Sequence, residues 1–100
     1  MDCPQATAAN LFNDGVFRGK GIDVEPWRAL VQQFFGENTE AAMAIMACES
    51  GGNPNAVNPA SRASGLFQFL PSTWKRVTGE EWPGAVFDGP TNIAAAAVLS

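Results

Sequence analysis

The 100-residue chain has 46% hydrophobic and 16% charged residues, a balance typical of one packed domain rather than of disorder. Its net charge is −4 and its six basic residues form no stripe, so we expect no nucleic-acid partner. With no histidine and two cysteines, the composition argues against a zinc site and against Ser-His or Cys-His catalysis, and we expect no metal or cofactor. No apolar run approaches the roughly 20 residues that span a bilayer, so membrane insertion is not expected.

At the N-terminus, residues 4–13 show a weak helical pattern, and residues 15–23 hold three glycines and are predicted to form a loop. No basic segment followed by an apolar one is present there, so no signal peptide is visible. Cys3 and Cys48 could form a disulfide or stay apart, and the sequence leaves both possibilities open.

Pro26 predicts the first residue of a helix that ends at Gly36. Apolar residues recur within it at i, i+3, i+4, i+7 and i+8, the spacing of one helix face. We expect this face to pack against the core through Trp27, Leu30, Val31, Phe34 and Phe35.

The next helix is predicted to be capped by Asn38 or Thr39 and to end near Ser50. It is apolar nearly all round, which is typical of a central helix. Residues 51–64 then shift to Gly, Asn, Pro, Ser and Ala, a composition that predicts a long loop. Long ordered loops in small domains are usually functional.

Beyond this loop, a short apolar turn is predicted over residues 66–70 and a helix over residues 71–77, closed by Gly79. Residues 80–90 follow as a loop, and Thr91 is predicted to cap an alanine-rich helix over residues 92–100. Because that helix reaches Ser100 without a C-cap, we interpret the C-terminal part as truncated. No strand pattern is visible, so the predicted class is all-α.

Glu49 is the candidate for chemistry, because an apolar helix leads directly to its carboxyl group. Desolvation and the negative end of a helix both favour the protonated acid. A carboxylic acid that stays protonated near neutral pH can donate a proton to a glycosidic oxygen. The alternative is a solvated acid at a helix end, and the sequence alone does not decide between the two.

Gln68 is a polar amide between Phe67 and Phe69. An amide with donors and an acceptor can hold an N-acetyl or hydroxyl group of a sugar, and phenylalanine faces can stack on pyranose rings. The alternative is a helical turn with a core Phe69 and an exposed Gln68.

Three blocks carry a family resemblance, and they read ESGGNPNAV at residues 49–57, ASGLFQFLPSTW at residues 63–74 and NIAAAAVLS at residues 92–100. In this order they resemble the soluble lytic transglycosylase domain, a member of the lysozyme-like superfamily. The segment ACESGG at residues 47–52 is also similar to resuscitation-promoting factors, and similar domains occur in phage lysins and tail proteins. The resemblance implies a single lysozyme-like helical domain over residues 1–100 with a long substrate-side loop. Residues 1–38 would form its helical lead-in and residues 39–100 its catalytic part.

By the same resemblance, Glu49 is the sole catalytic acid/base. The residues placed at the substrate are Ser50, Ser64, Phe67, Gln68, Phe69 and Asn92. The family usually carries a tyrosine near Val98 that contacts the acid, and this chain has no tyrosine.

The implied reaction is cleavage of peptidoglycan glycan strands to 1,6-anhydro-muramyl products. Lysozyme-type hydrolysis is the alternative, and it requires a base, for which Glu80, Glu81 and Asp88 are candidates, although each is better read as a solvated loop acid. A wall-binding module with weak catalysis is a third hypothesis. The resemblance implies a monomer that acts outside the cell or from a virion.

Among the remaining side chains, Trp27 and Trp74 sit at core spacings, whereas Trp82 lies in a loop and could stack on a sugar. Arg62 and Asn58, in the long loop, are candidates to contact a muramyl carboxylate or the peptide stem.

Overall fold

The computed structural model describes residues 23–100, so the predicted helix over residues 4–13 and the pairing of Cys3 lie outside the described residues. The helices of this part are α1 Arg28–Phe35, α2 Thr39–Glu49, α3 Pro71–Thr78 and α4 Gly89–Leu99. Short 3-10 turns lead into α1 and α2. From residue 23 onward there is no strand, only two isolated antiparallel bridges, which confirms the predicted all-α class.

The core lies where α1 packs against both α2 and α4, and where α3 packs against α4. The turn before α3 contributes large apolar side chains to this core. Its fully buried members of greatest volume are Trp74, Phe67, Phe69, Met46, Leu66, Ile93, Val31 and Val86. Every described helix therefore contributes buried side chains to the same core as the turn at residues 65–70.

Helix α1 ends before Gly36 as predicted, and Gly36 adopts a φ of 56° that favours glycine. Its start differs, because Pro26 lies in a 3-10 turn and the α-helix begins at Arg28. The predicted apolar face is correct for Val31, which is fully buried, but wrong for Phe34, which is 41% exposed. Phe34 is absent from the residues that pack against the core, whereas Trp27, Leu30 and Phe35 are among them.

Helix α2 buries one stripe, not its whole circumference. Its buried residues are Thr39, Ala42, Met43 and Met46, at the i, i+3, i+4 and i+7 spacing of one face. Glu40, in its first turn, is exposed, so the helix packs on the core through one face. The predicted side-chain cap is also absent, since Asn38 makes no capping bond, while the Thr39 hydroxyl donates to the Gly36 carbonyl.

Helix α3 begins at Pro71 and ends at Gly79, whose φ of 78° is left-handed, as the sequence predicted. Helix α4 begins earlier than predicted, at Gly89, and its cap is Asp88 rather than Thr91. The Asp88 carboxylate accepts hydrogen bonds from the Thr91 N–H at 3.1 Å and from the Thr91 hydroxyl at 2.6 Å. The earlier start is favourable because the proline at position 90 fits the first turn of a helix.

Candidate active site

Glu49 is the last residue of α2 and is partly exposed. Residues 41–48 before it carry no charge, so its carboxyl group follows a wholly uncharged stretch of helix. The last carbonyl groups of a helix have no partner within the helix, which makes this end electrostatically negative. Glu49 is therefore presented at the junction of an apolar helix and a loop.

The chain reverses directly after Glu49 in a turn that two glycines make possible. Gly51 and Gly52 have φ values of 66° and 87°, which other residues rarely adopt. The Ser50 hydroxyl donates to the Met46 carbonyl at 3.3 Å and accepts from the Gly52 N–H at 3.2 Å. Ser50 thus ties the end of α2 to the turn, which fixes the backbone that follows Glu49.

Gly52 is held from outside the turn as well. A Cβ atom at Gly52 would lie 2.3 Å from the Asp23 carbonyl oxygen, so only glycine fits. The indole N–H of Trp27 donates to the Gly52 carbonyl at 2.9 Å. The sequence pattern had assigned Trp27 to core packing. The signal for this second role was its indole N–H, since a tryptophan N–H that is buried usually finds an acceptor.

The loop after this turn is organised by asparagine side chains. Asn53 Oδ1 accepts from the Asn55 N–H at 2.9 Å, and Asn58 Oδ1 accepts from the Ala60 N–H at 2.9 Å. Such local bonds are the reason asparagine is favoured in turns. The loop then returns towards the core through an antiparallel bridge between Val57 and Ser64.

Gly65 and Asn92 form the contact that joins this loop to α4. Asn92 is fully buried; its Oδ1 accepts from the Phe67 N–H at 2.9 Å and its Nδ2 donates to the Val86 carbonyl at 2.8 Å. A Cβ atom at Gly65 would lie 2.3 Å from Asn92 Nδ2. Asn92 therefore positions the turn rather than facing solvent.

Gln68 is 5% exposed and adopts a left-handed φ of 54°. Its Nε2 donates to the Ala56 carbonyl at 3.1 Å and to the Gly65 carbonyl at 2.9 Å. Both amide hydrogens are thereby engaged with the backbone. Gln68 connects the long loop to the turn before α3, and its side-chain oxygen is the atom left to accept a hydrogen bond.

Ser64, Phe67 and Phe69 are buried to 2%, 1% and 0% exposure. The Ser64 hydroxyl donates to the Arg62 carbonyl at 2.8 Å. The Phe67 ring stacks on Phe35 with centroids 5.8 Å apart, and Phe69 meets Trp74 edge to face at 5.0 Å. These aromatic rings pack the core.

The predicted site residues therefore fall into two groups. Glu49 and Ser50 are partly exposed at the end of α2. The interior group consists of Ser64, Phe67, Gln68, Phe69 and Asn92. Direct contacts between the interior group and a substrate stay a prediction. What the structure shows is that these buried residues hold the turn before α3 in place.

The loop acids considered as bases all have structural partners. Glu80 Oε1 accepts from the Trp74 indole at 3.2 Å and from the Ala85 N–H at 3.0 Å. Glu81 pairs with Lys75, and Asp88 caps α4. Trp82, the candidate for sugar stacking, is partly buried against the core.

Three charged groups, Glu25, Arg28 and Asp88, have shifted pKa values. The hydroxyl and N–H of Thr91 hold the pKa of Asp88 below its usual value. Arg28 bonds both Glu25 and Glu40, which lowers the pKa of Glu25 and raises that of the guanidinium. Asp88 thus caps α4, and Arg28 links the starts of α1 and α2.

Neither a metal site nor a membrane span is found in the described part of the chain. No group of three or more Cys, Asp or Glu within residues 23–100 is arranged to bind a metal ion. In the same stretch, every helix is too short or too polar to cross a bilayer.

A family model described as the transglycosylase SLT domain matches residues 27–99. Probable transglycosylase SceD 3 of Staphylococcus saprophyticus is 54% identical over 41 residues, which cover 41% of this chain and 17% of that protein. Probable transglycosylase SceD of Staphylococcus aureus strain Newman is 44% identical over 52 residues, covering 51% of this chain and 22% of that protein. The matched segment thus spans about a fifth of these relatives. No solved structure matches the chain.

Proposed function

Because the chain belongs to the transglycosylase SLT domain family, we propose that it is the catalytic domain of a lytic transglycosylase that cleaves peptidoglycan. The bond cut is the β-1,4 linkage between N-acetylmuramic acid and N-acetylglucosamine. The observation that carries the proposal is the placement of Glu49 at the end of an uncharged stretch of helix, beside a turn locked by Ser50 and Gly52. The named relatives are themselves described as probable transglycosylases.

Glu49 acts twice in the proposed reaction. As an acid it gives its proton to the glycosidic oxygen, so that the bond from the muramyl C1 breaks and the glucosamine leaves with a free 4-hydroxyl. The substrate N-acetyl group stabilises the positive charge at C1. The Glu49 carboxylate then takes the proton of the muramyl C6 hydroxyl, whose oxygen bonds to C1. The product is a 1,6-anhydro sugar, no water is consumed, and Glu49 ends protonated as it began.

A mechanism with a single carboxylate is supported by the structural bonds that the loop acids make. Glu80, Glu81 and Asp88 each hold a structural bond, as described above. A hydrolase that inverts or retains would need a second carboxylate to activate water or attack C1. A mechanism in which one residue serves as acid and then as base fits this set of acids better.

We assign the remaining predicted residues to the support of this acid. Ser50 fixes the turn that follows Glu49. The interior group holds the turn before α3 in place through Gln68 and Asn92, and packs it on the core through Phe67 and Phe69. A rigid support of this kind keeps a catalytic group within the narrow geometry that catalysis requires. Since its proposed substrate is cell wall, the domain would act outside the cytoplasmic membrane.

The test is mass spectrometry of the soluble products released from purified peptidoglycan in oxygen-18 water. Transglycosylation gives anhydro-muramyl ends without incorporated label, because no water enters the product. Hydrolysis gives reducing muramyl ends that carry one labelled oxygen. Unlabelled anhydro products support the proposal, whereas labelled reducing products, or retention on peptidoglycan without any release, contradict it.

A further inference from the structure

Arg62 is the single charged residue between Ser50 and Trp74. This stretch contains the turn after Glu49, the long loop and the turn before α3. Arg62 is exposed, while the next two residues, Ala63 and Ser64, are buried. The surface that this part of the chain presents therefore carries one positive charge, in a protein of net charge −4.

The backbone at Arg62 is an unfavourable one for arginine. Its φ is 68°, in the left-handed region where glycine and asparagine are preferred. The conformation is fixed on both sides, because the Arg62 N–H donates to the Asn58 carbonyl at 2.7 Å and the Arg62 carbonyl accepts from the Ser64 hydroxyl at 2.8 Å. Glycine would suit this turn better, so the turn itself does not explain the arginine, and strain of this kind is found at functional sites.

The Arg62 guanidinium is also without an ion-pair partner among the described residues. Arg28 bonds Glu25 and Glu40, and Lys75 bonds Glu81, whereas no ion pair within residues 23–100 includes Arg62. In this part of the chain, no acid neutralises the charge that Arg62 could offer to a ligand. A planar guanidinium suits a carboxylate, which it can bind through two parallel hydrogen bonds.

We propose that Arg62 binds a carboxylate of the peptidoglycan substrate, beside the site of Glu49; this rests on the proposed function. The loop that bears Arg62 leaves directly from the turn after Glu49 and is joined to the turn before α3 through Ala56, which accepts from both Gly65 N–H and Gln68 Nε2. Peptidoglycan offers carboxylates in its peptide stems, and in the lactyl group of each muramyl residue from which the stem is removed. Arg62 thereby favours charged wall strands over neutral glycans.

The experiment measures retention on insoluble substrates with the Glu49→Gln variant as the parent, so that binding is read without turnover. Arg62→Asn removes the charge and places a residue that tolerates the left-handed backbone. Arg62→Lys keeps the charge with the same backbone preference as arginine. Arg76→Asn is the matched control, because Arg76 is an exposed arginine on α3 without a described ion pair.

On intact peptidoglycan at low salt, Arg62→Asn is expected to weaken binding roughly threefold to tenfold, the range of one exposed charge-assisted contact. Arg62→Lys should restore part of this loss, and Arg76→Asn should leave binding unchanged. On neutral N-acetylglucosamine polymer, Arg62→Asn should bind as its parent does. Because the left-handed turn accepts asparagine, the thermal midpoint of Arg62→Asn should equal or exceed that of the parent.

Binding to glycan strands without peptide stems shows which of the two carboxylates Arg62 binds, that of the lactyl group or that of the stem. A persisting Arg62 effect assigns the lactyl group, and loss of the effect assigns the stem. Equal retention of Arg62→Asn and its parent on intact peptidoglycan, or an equal loss on the neutral polymer, would overturn the inference. Release of soluble fragments by Glu49→Gln is scored separately, so failure of the proposed acid is distinguishable from failure at Arg62.

Discussion

The indole N–H of Trp27 donates a 2.9 Å hydrogen bond to the carbonyl oxygen of Gly52, three residues after Glu49. The same indole ring covers the start of α4, where a Cβ atom at Gly89 would lie 2.3 Å from a ring carbon. One side chain therefore links the turn after Glu49, the start of α1 and the start of α4. Displacing it should move the backbone that holds the proposed acid.

Trp27→Phe tests this link, because phenylalanine keeps an aromatic ring but has no N–H. We expect a loss of about 1 kcal/mol in the free energy of unfolding, the contribution of one hydrogen bond, together with a lower turnover rate on peptidoglycan. Trp82→Phe is the matched control, since Trp82 is also partly buried and its indole has no acceptor in the described residues. Equal effects of the two substitutions on turnover would contradict a positioning role for Trp27.

Alanine substitutions at Gly65 and Gly79 separate the cost of a strained backbone from the cost of a steric clash, because the two glycines have similar φ values but different surroundings. Gly65 and Gly79 have φ values of 83° and 78°, but only a Cβ atom at Gly65 meets other atoms, at 2.3 Å from Asn92 and 2.4 Å from the Val86 carbonyl. Gly79→Ala should cost about 1 kcal/mol from the left-handed backbone alone. Gly65→Ala should cost about 3 kcal/mol or more, because the clash adds to the strain. Urea unfolding of both variants measures the difference, and similar losses would show that the contact at Gly65 is unimportant.

Asn92→Ala should be among the most destabilising single substitutions in α4. It leaves the Phe67 N–H and the Val86 carbonyl without their side-chain partner, and each buried unpaired group costs about 1–3 kcal/mol. A total loss of about 2–5 kcal/mol is expected by chemical denaturation. Asn55→Ala, at an exposed asparagine, should change stability by less than about 0.5 kcal/mol. A small effect at Asn92 would mean that water or a neighbour replaces its bonds.

The cap of α4 predicts a specific acid dependence of stability. The pKa of Asp88 is lowered in the folded state by the Thr91 hydroxyl and N–H, so Asp88 contributes stability above its unfolded pKa of about 3.9. That contribution is lost as the pH falls from this value through the lower folded pKa. Asp88→Asn keeps a capping oxygen but does not titrate. The difference in the free energy of unfolding between the parent and Asp88→Asn should therefore shrink as the pH falls from about 5 to about 2. A difference that stays constant over this range would contradict the prediction.

The sequence was sufficient for the features that depend on local spacing. Gly36 and Gly79 end helices where their position after an apolar pattern predicted it, and Glu49 is the last residue of α2. Features set by tertiary contacts were not predictable. Phe34 is exposed although its spacing matches the core face. The cap of α4 by Asp88 is a local feature that was missed, since the proline at position 90 marks the first turn of the helix.

The candidate site also combines features that local sequence predicts with features that depend on tertiary contacts. The motif around Gln68 lies in the turn before α3, and its polar side chain bonds backbone groups of other segments. Asn92 bonds Phe67 and Val86, and Gln68 bonds Ala56. Which partner a buried amide selects depends on how α4 and the loops pack, and no local pattern contains that information.

The most direct test of the account is the activity of Glu49→Gln. The amide has nearly the shape of the acid but cannot donate a proton to the glycosidic oxygen, and proton transfer of this kind contributes about 10²–10⁴ to the rate. We predict that fragment release from purified peptidoglycan falls at least about 100-fold, while the circular dichroism spectrum and retention on the wall stay those of the parent. Release within a few-fold of the parent would show that Glu49 is not the acid and would contradict the central claim.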